Sequence, residues 1–397
     1  MHIGINAQLL SFSQNYRNGG ISHYIRHLLT QLAKQPGPHD YTIFVNGQDV
    51  VERLAAYAPH IKYVRVSWPE SQPVSRVAWE QLALPTLLRQ RHIDVFHSPA
   101  NVLPEMLPRT CAGVVTLHDL AFLRFPNVLP RAKRIYHRTF TLRSLRHATR
   151  IIAASESTAR DAVELANIPA ERIQTVHPCI DARFSRVIQE EEIEAFRQKQ
   201  GLADGFILYL GTLEPRKNIP TILEAYAHLR KTHAIQEKLV LAGGKGWFYD
   251  AIFEKVQTLN LASEVIFPGF VADAEQALWY SAASAFIYPS LYEGFGLPVA
   301  EALACGTPVV TSNVSSMPEA GAGIALVVDP KNVEAMANAL YQALVDQNYR
   351  QRCRTLAPAV AQQFSAQAMV AQTIGVYEQA YEQAYTGRLF RKEVREV

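Results

Sequence analysis

The feature that most constrains the fold is an alternation of short apolar runs with amphipathic stretches, which runs through the chain twice. Such alternation is typical of parallel sheets covered by helices. A proline-bearing segment at 175–181 and an acidic stretch at 190–199 separate the two series. The sequence therefore predicts an α/β chain of two doubly wound, Rossmann-like units joined near residue 180. The predicted strands are His2–Asn6, Tyr41–Val45, Ile61–Val66, Val95–His97, Gly113–Leu117 and Arg150–Ala154, then Phe206–Leu210, Lys238–Ala242, Val265–Pro268, Ala285–Tyr288, Pro308–Thr311 and Ala325–Val328; the predicted helices of the first unit are Ile21–Lys34, Ser75–Arg91, Arg131–His147 and Ser157–Leu165.

Composition agrees with a globular protein of two domains and disfavours several other classes. The 397 residues are 48% apolar and 19% charged, which is ordinary for a soluble chain. A net charge of +3 is too small to indicate nucleic-acid binding. The four cysteines form no C-x-x-C pair, which disfavours disulfides or a zinc site and favours a reducing compartment. The first residues read as a strand rather than a signal peptide, and no apolar run is long enough to span a bilayer. We therefore expect a cytoplasmic protein.

Two glutamates frame a glycine-rich turn in the stretch EGFGLPVAE, which runs from Glu293 to Glu301. The stretch follows the apolar strand Ala285–Tyr288 and leads into a helix of small residues. Glycines at such a junction let the backbone approach a ligand closely, and a helix start offers free N–H groups to an anion. Carboxylates on either side can accept hydrogen bonds from the hydroxyl groups of sugars and riboses. The stretch predicts a nucleotide-sugar pocket; the alternative is a solvated glutamate beside an ordinary loop.

Two adjacent cations, Arg216 and Lys217, stand between the strand Phe206–Leu210 and the next helix. Cations at a helix start oppose the helix dipole, whose N-terminal end is positive. A bound diphosphate would make the placement favourable, because charge-assisted hydrogen bonds to phosphate compensate for that repulsion. Fixed cations here would also stabilise the charge that develops on a departing nucleoside diphosphate. The alternative is a solvated basic loop.

Two weaker features lie at strand ends of the first unit. Gly19 and Gly20 open the first predicted helix, where a glycine pair lets the chain come close to a phosphate or a sugar. His118 follows the apolar strand Gly113–Leu117 and precedes Asp119. Each has an ordinary alternative: a flexible polar loop for the glycines and a structural role for the histidine.

Several cofactor motifs are missing from the sequence. The run GGKGW at 243–247 follows an apolar strand, but it is not a P-loop, because Lys245 is not followed by Ser or Thr. No G-x-G-x-x-G occurs, which disfavours a nicotinamide enzyme. No Asp-x-Asp stands near a strand end and the histidines form no cluster. We therefore expect neither a catalytic metal nor a cofactor.

Together the motifs resemble those of the retaining glycosyltransferases of family 4, which have the GT-B fold. EGFGLPVAE and GTLEPRKN (residues 211–218) are the specific stretches, and the glycine pair with Tyr24 and the His-Asp pair occur in the family's order. The resemblance implies a hexosyltransferase in which His118, Lys217 and Glu293 act at the reacting centre without a metal. It also implies front-face attack, in which the leaving phosphate itself helps take the acceptor proton. The donor-binding residues that it implies are Gly19, Gly20, Arg216, Lys217, Gly243, Val271, Glu293, Gly294, Phe295, Gly296, Leu297 and Glu301.

The resemblance assigns a role to each acidic residue of the pocket. Glu293 would bond hydroxyls of the donor sugar, Glu301 would bond the ribose hydroxyls, and backbone groups around Val271 would read the base. His118 would orient groups and stabilise charge rather than act as an essential base. One position departs from the pattern: Thr212 stands where many relatives carry arginine. Phosphate binding would then fall to the two cations of GTLEPRKN and to backbone N–H groups.

The resemblance also implies a division of roles between the units. Residues 1–180 would bind the acceptor, with a C-terminal helix of about 376–397 crossing back onto them, and residues 181–375 would bind the nucleotide sugar. The EPRKN stretch and the Gly-Lys-Gly-Trp stretch at 244–247 resemble those of bacterial mannosyltransferases of polysaccharide assembly, which implies GDP-mannose as donor and a glycan or lipid-linked acceptor. UDP-glucose or a UDP-N-acetylhexosamine as donor, a GT-B sugar-nucleotide epimerase and a non-catalytic binding module remain alternatives.

A basic stretch at 124–150 stands out, because no acidic residue occurs between 120 and 155. Arg131, Arg134 and Arg138 are compatible with one face of an amphipathic helix, which could rest on anionic lipid. A second, shorter basic run ends the chain near residue 390. The alternative is a solvated arginine face or salt bridges to other elements. Peripheral contact with the inner face of the membrane is therefore an open prediction.

Overall fold

The computed structural model describes residues 1–12, 20–35, 37–66, 73–125, 131–244 and 250–396, which divide into two compact units. One unit comprises Met1–Cys179 together with Ala366–Val397, and the other comprises Ile180–Ser365. Each contains one wholly parallel sheet with its own helices. The prediction of two doubly wound, Rossmann-like units is confirmed.

The first unit alternates strands and helices, and its seven strands form one sheet. Its elements are β1 (His2–Asn6), α1 (Gly20–Lys34), β2 (Asp40–Asn46), α2 (Gln48–Tyr57), β3 (Lys62–Val66), α3 (Pro73–Ala78), α4 (Leu84–Gln90), β4 (Val95–Ser98), β5 (Ala112–Leu117), α5 (Ala121–Arg124), α6 (Arg131–Tyr136), α7 (Leu142–His147), β6 (Arg150–Ala153), α8 (Glu156–Ala166) and β7 (Ile173–Thr175). The strand order is β3-β2-β1-β4-β5-β6-β7. Buried aliphatic residues that alternate along the strands, such as Ile3 and Ile5, pack against helices and exclude water from the sheet.

Two predicted helices of this unit are interrupted by π-helical turns. Trp79–Ala83 lies between α3 and α4, and His137–Thr141 lies between α6 and α7. The helices predicted over Ser75–Arg91 and Arg131–His147 are therefore present, each with one wider turn. Such turns insert a residue into the helix and re-aim the side chains around it, and they are frequent at functional sites.

The second unit repeats the architecture with six strands. Its elements are α9 (Glu190–Lys199), β8 (Phe206–Leu210), α10 (Ile219–Thr232), β9 (Lys238–Ala242), α11 (Asp250–Thr258), β10 (Val265–Gly269), α12 (Gln276–Ala282), β11 (Ala285–Tyr288), α13 (Leu297–Ala304), β12 (Val309–Ser312), α14 (Met317–Ala320), β13 (Leu326–Val328), α15 (Val333–Val345) and α16 (Gln347–Gln363). The strand order is β10-β9-β8-β11-β12-β13. The central strands β8 and β11 are buried along their whole length.

The strand order of the second sheet brings the two specific motifs together. The chain winds in one direction from β8 to β10 and in the other from β11 to β13, so β8 and β11 are neighbours at the point of reversal. In open α/β sheets, ligands bind outside the carboxyl ends of the strands at this point. GTLEPRKN follows β8 and EGFGLPVAE follows β11 within a few residues. The topology therefore places both motifs at the expected ligand site of this sheet.

The last helix, α17 (Ala366–Glu396), belongs to the first unit. Met369 and Val370 are already buried in that unit's core, so the return begins at residue 366 and not at about 376. The hydroxyl of Tyr377 lies 2.7 Å from Nδ1 of His97 on β4. Burial lowers the pKa of His97 to about 3, so the imidazole is neutral at pH 7. This buried, neutral hydrogen bond fixes α17 against the sheet.

Candidate active site

Two loops of the second unit are bonded to each other at the carboxyl ends of β8 and β11. The amide of Leu291 donates to the carbonyl of Arg216 at 2.9 Å, and Nη1 of Arg216 donates to the carbonyl of Tyr292 at 2.7 Å. Asn218, which is left-handed with a φ of 61°, donates from its side chain to the carbonyl of Pro330 at 2.7 Å. The first two bonds set the distance between the two loops and let their charged side chains meet, whereas the Asn218 bond ties the first loop to the segment after β13.

Four of those side chains form a buried ionic cluster of Glu214, Arg216, Lys217 and Glu293. Nζ of Lys217 lies 2.5 Å from Oε1 of Glu293, and Nη1 of Arg216 lies 2.5 Å from Oε2. Nη2 of Arg216 lies 2.8 Å from Oε1 of Glu214. Lys217 is 7% exposed and Glu293 8%, so solvent screens these charges weakly. The cations that the sequence assigned to a diphosphate are here bound to carboxylates, and the four formal charges sum to zero.

Neutral hydroxyl groups complete the surroundings of Glu293. The Ser290 hydroxyl donates to Oε1 at 2.8 Å, and the Tyr288 hydroxyl donates to the same oxygen at 3.3 Å. Nζ of Lys217 donates to the Tyr288 hydroxyl at 2.6 Å. The Tyr288 ring stacks on Tyr209 with 5.6 Å between centroids. Rings and hydroxyls therefore hold both charged groups in fixed positions.

The cations keep Glu293 ionised despite its burial. Burial alone would raise the pKa of this carboxyl, but the charges of Lys217 and Arg216 outweigh burial and lower the pKa to about 2. Burial lowers the pKa of Lys217, and Glu293 acts in the opposite direction. Burial also raises the pKa of the Tyr288 hydroxyl well above its ordinary value. At neutral pH the cluster therefore holds a fixed carboxylate and a protonated phenol.

Two glycines near the cluster are required by the backbone. Gly243, after β9, has a φ of 140°, and a Cβ atom there would lie 2.0 Å from the carbonyl oxygen of Gly211. Gly296, before α13, has a φ of 101°, and a Cβ atom there would lie 2.0 Å from Cε of Met317. Both conformations disfavour residues with a side chain. The protein's own packing thus explains these two glycines, and their contact with a donor stays a prediction.

The turn between Glu293 and α13 is anchored by its phenylalanine. Phe295 is 5% exposed and packs edge-on against Phe364, with 5.2 Å between centroids. Leu297 begins α13 directly after Gly294-Phe295-Gly296. Since the Phe295 side chain is buried in the core, the backbone is the part of this turn that can contribute to a donor site.

Glu301 lies in a separate polar site on α13. Its Oε2 accepts a hydrogen bond from the Tyr280 hydroxyl at 3.0 Å. Burial raises the pKa of Glu301 to about 7; the Tyr280 bond and the charge of Arg183 act against burial, and Asp273 acts with it. The partner and the charges that act on Glu301 (Tyr280, Arg183 and Asp273) are different from those that act on Glu293 (Lys217 and Arg216). The two glutamates therefore occupy distinct surroundings, one ionised and one close to half-protonated at neutral pH.

The loop after β10 lies beside Glu301. Val271 is 4% exposed and packs into the core, whereas Phe270 before it is 73% exposed. Asp273 in the same loop lies 3.9 Å from Arg183, and both act on the charge of Glu301. The exposed ring of Phe270, three residues before Asp273, is a feature that sequence analysis missed, because exposure cannot be read from one phenylalanine.

In the first unit, His118 follows β5 and is held by neutral groups. Nε2 lies 2.8 Å from the carbonyl oxygen of Pro99 and therefore carries a proton. The backbone N–H donates to Oδ1 of Asn101 at 2.9 Å, and the ring meets Tyr24 edge-on at 5.3 Å. Burial lowers the pKa of His118, so the neutral imidazole presents Nδ1 as an acceptor. The contact between His118 and Tyr24 joins two of the features that the sequence singled out.

Of the predicted glycine pair, the structure describes Gly20 but not Gly19. Gly20 begins α1, and a Cβ atom there would meet nothing within 4 Å. Packing therefore gives no reason for glycine at this position. Gly19 lies outside the described residues, as does the run from Lys245 to Tyr249.

A buried charged pair near the end of β1 was not predicted. Nη1 of Arg76 lies 3.1 Å from Oε1 of Glu80, and Nδ2 of Asn6 donates to the same oxygen at 3.0 Å. Glu80 is 4% exposed, and burial raises its pKa although Arg76 acts against the shift. The pair lies four residues apart in the sequence, a spacing that surface pairs share. In the structure, the position of this pair at the π-helical turn Trp79–Ala83 distinguishes it from exposed pairs of the same spacing.

The basic stretch at 124–150 is partly paired with acids. Nη2 of Arg124 lies 2.6 Å from Oδ1 of Asp161, and Nη1 of Arg143 lies 2.8 Å from Oε1 of Glu105. The side chains of residues 131–133 and of the C-terminal basic run lie outside the described part of the structure. Salt bridges to other elements are therefore confirmed for two of the arginines.

The described residues contain neither a group of potential metal ligands nor a helix suited to span a membrane. None of their His, Cys, Asp and Glu side chains gather in groups of three or more that could hold a metal ion. No helix within the described ranges combines the length and apolar character that crossing a bilayer requires.

Known proteins resemble this chain in both halves. Residues 192–359 match the family described as glycosyl transferases group 1, and residues 18–184 match glycosyltransferase family 4. The chain is 34% identical over 291 residues to the O-antigen chain mannosyltransferase B of Escherichia coli, a match that covers 73% of this chain and 76% of that protein. It is 30% identical over 227 residues to the serotype-specific mannosyltransferase WbdA of Escherichia coli, which covers 56% of this chain but only 28% of WbdA. Its structure is similar to sucrose-phosphate synthase from Thermosynechococcus elongatus, with a TM-score of 0.73 and 21% identity over 96% of this chain and 99% of that one.

Proposed function

This chain belongs to the family 4 glycosyltransferases and has their GT-B fold, and on that premise we propose that it transfers mannose from GDP-mannose to a glycan or lipid-linked acceptor, with retention of configuration and without a metal. Glycosyltransferase activity follows from the family. The mannosyltransferase relatives support mannose as the sugar and a bacterial polysaccharide as the product.

The ionic cluster is the observation that carries the proposal. Arg216 and Lys217 are held at the carboxyl ends of β8 and β11, where ligands of such sheets bind. When the bond to the sugar breaks, negative charge grows on the departing diphosphate. Fixed cations in a poorly screened site stabilise that charge more than they stabilise the bound substrate. Two cations can supply this stabilisation from the protein itself, and the nucleotide sugar enters as a substrate rather than as a cofactor.

The reaction that we infer is a front-face displacement. The bond between C1 of the sugar and the phosphate oxygen breaks, and the acceptor oxygen bonds C1 on the same face. The acceptor proton passes to the departing phosphate, which leaves as GDP. Glu293 would hold hydroxyl groups of the donor sugar, and His118 would accept a hydrogen bond at Nδ1 rather than remove the proton.

The nucleoside would bind at Glu301 and the loop after β10. An ionised Glu301 can accept hydrogen bonds from both ribose hydroxyls. Phe270 offers an exposed aromatic face for the base, and the backbone around Val271 would read the edge of the base. The charge of Asp273 raises the pKa of Glu301, so this loop lies close to the carboxyl. That proximity supports the assignment.

The acceptor would bind to the first unit. Its sheet reverses direction between β1 and β4, so its expected ligand site lies at their carboxyl ends. Asn6, Arg76 and Glu80 gather at the end of β1 and present polar groups that can bind sugar hydroxyls. Exchanging Glu80 for Gln should raise KM for the acceptor and leave KM for the donor unchanged.

Peripheral membrane contact is a separate part of the proposal. Val74, Leu82, Met106 and Ile135 each expose between 64% and 79% of their surface. The Arg76 guanidinium and the Tyr136 hydroxyl lie close enough to interact, which brings together two of the segments that carry these side chains. Apolar side chains beside a basic stretch suit an anionic bilayer surface. In co-sedimentation with phosphatidylglycerol vesicles, Leu82→Asp should reduce binding, and an unchanged pellet would contradict this assignment.

A panel of donors tests the proposal most directly. The protein is incubated with GDP-mannose, UDP-glucose and UDP-N-acetylhexosamines together with an inner-membrane extract, and released GDP and UDP are measured. We expect GDP release from GDP-mannose, a product with retained configuration, and the same rate in EDTA. GDP-mannose that gives neither turnover nor binding ends the mannose assignment. Free sugar released without an acceptor would favour an epimerase.

A further inference from the structure

A second polar groove lies in the second unit, at the amino-terminal edge of its sheet. Its volume is about 620 Å³, within the range of small-molecule sites. It is lined by the residues just before β11 and β12, including Ala283 and Pro308, and by side chains of α9 and α16. The ionic cluster lies at the opposite, carboxyl edge of the same sheet, so the groove is a different site.

Three arginines bring like charges together in this groove: Arg197 from α9, and Arg350 and Arg354 from α16. Burial lowers the pKa of Arg350, and the charges of Arg354 and Arg197 lower it further, while Glu237 acts in the opposite direction. The three guanidinium groups therefore repel one another across the groove. Repulsion of this kind is unfavourable for the folded protein unless an anion binds between the charges.

The backbone holds two of these guanidinium groups without using all their donors. Nε of Arg197 donates to the carbonyl of Ala282 at 2.8 Å, and Nη1 of Arg350 donates to the carbonyl of Leu344 at 3.1 Å. The side chain of Arg354 makes no hydrogen bond or ion pair with the residues that the structure describes. Most of the N–H groups of the three arginines are thus available to a ligand. The planar fork of arginine matches the geometry of phosphate oxygens.

The remaining lining residues supply little negative charge and one apolar side. Glu190 is the acidic residue among those that line the groove. A fourth arginine, Arg186, is already bound to Glu192 at 3.1 Å. The apolar side consists of Val187, Ile188, Ile193, Ala357, Pro358 and Ala361.

We propose that this groove binds an organic phosphate, with the phosphate group on the three arginines and an apolar body against the aliphatic side chains. Phosphate is favoured over a carboxylate because its additional oxygens can accept hydrogen bonds from more than one guanidinium. The same chemistry occurs in a phospholipid headgroup and in a soluble phosphate ester. The site is independent of the transfer reaction proposed above.

Calorimetry with dihexanoylphosphatidate, which is soluble as a monomer, tests the proposal. The full chain is used with Lys217→Ala, and in parallel as wild type saturated with GDP, so that the ionic cluster does not compete for phosphate. Dihexanoylphosphatidylcholine and inorganic phosphate are the comparison ligands. We expect phosphatidate to bind more tightly than either. Arg354→Glu should weaken its binding at least about tenfold, since a charge-assisted contact becomes a repulsion.

Arg352→Glu is the matched control. Arg352 lies on the same helix, is exposed and does not line the groove, so its change should alter affinity by no more than about twofold. Phosphatidate that does not bind, equal losses in the two variants, or inorganic phosphate that binds as tightly as phosphatidate would overturn the proposal. Co-sedimentation with phosphatidate-containing vesicles distinguishes a phospholipid headgroup from a soluble phosphate ester as the ligand. Protein that pellets with the vesicles, and pellets less with Arg354→Glu, identifies a headgroup. Binding of monomeric dihexanoylphosphatidate without pelleting identifies a soluble ester. Failure of the organic-phosphate proposal would leave the result of the donor panel unaffected.

Discussion

Replacing Glu293 by glutamine tests how far the ionic cluster depends on its acid. The shape of the side chain is kept, but Lys217 and Arg216 lose a shared counter-charge in a poorly hydrated site. The pKa of Glu293 is about 2, against 4.5 for an ordinary glutamate. A difference of this size corresponds to about 3 kcal/mol of favourable interaction at neutral pH. We expect the variant to lose about that much stability, as is usual when one partner of a buried pair is removed.

Thermal unfolding and transfer assays measure the two consequences separately. For a unit of this length, a loss of about 3 kcal/mol lowers the melting temperature by roughly 6–12 °C. Transfer should fall about 100-fold, because the donor sugar and the cations lose their common partner. GDP should raise the melting temperature more in the variant than in the wild type, because the diphosphate replaces the missing negative charge. Glu191→Gln, at an exposed acid of α9, is the matched control and should melt with the wild type.

The dependence on pH gives an independent check of the same reasoning. Because the folded pKa of Glu293 is depressed, its contribution to stability is complete above the ordinary value of 4.5 and is lost as the pH falls through about 2. The difference in stability between wild type and variant should therefore shrink in that window. A variant that melts with the wild type at pH 7, or GDP that stabilises both proteins equally, would refute the argument.

Two further predictions concern the nucleoside side of the site, and a third concerns a glycine near the ionic cluster. Burial raises the pKa of Glu301 to about 7, so the donor KM should rise as the pH falls through 7, and Glu301→Gln should abolish that dependence. The contribution of Glu301 to folding stability changes with pH in the opposite direction: it is complete below 4.5 and is lost as the pH rises through 7. Phe270→Ala should weaken GDP binding about tenfold in calorimetry, since stacking on a base contributes about 1–3 kcal/mol, whereas Phe270→Tyr should keep it. Gly243→Ala should lower both the melting temperature and the donor affinity, because the new Cβ atom would lie 2.0 Å from a carbonyl oxygen. Gly244→Ala, where a Cβ atom would meet nothing within 4 Å, should change neither. Equal effects of the two substitutions would contradict the packing argument.

The fold was predictable where strands are long and apolar. Buried parallel strands such as Phe206–Leu210 are continuous apolar runs, and such runs are visible in the sequence. The short strand β7 (Ile173–Thr175) was missed, because three half-buried residues at the edge of a sheet carry no such pattern. The return of α17 was placed too late, because the alanine-rich start of the helix does not show that Met369 and Val370 enter the first unit's core.

The site was predictable only as a set of motifs. Glycines and cations next to strand ends predicted which loops form the site, but not which side chains bond to each other. Lys217 and Glu293 are 76 residues apart in sequence, and their contact depends on β8 and β11 being neighbours. The partner of Glu301 was unpredictable for the same reason, since Tyr280 reaches it from another helix. Contacts that the strand order creates cannot be read from local spacing.

The pairing of Glu293 with Lys217 also bears on how a buried lysine can serve a diphosphate. Burial lowers the pKa of Lys217, and an uncharged amine would give little help to a departing phosphate. The carboxylate 2.5 Å away acts against that shift and favours the charged form. If the cluster binds the donor as we propose, the acid would favour the charged lysine before the donor arrives, in a site where water stabilises the ammonium poorly. On the proposed function, an arriving diphosphate would bring its own negative charge, so the lysine would keep its proton as it exchanged one anionic partner for the other.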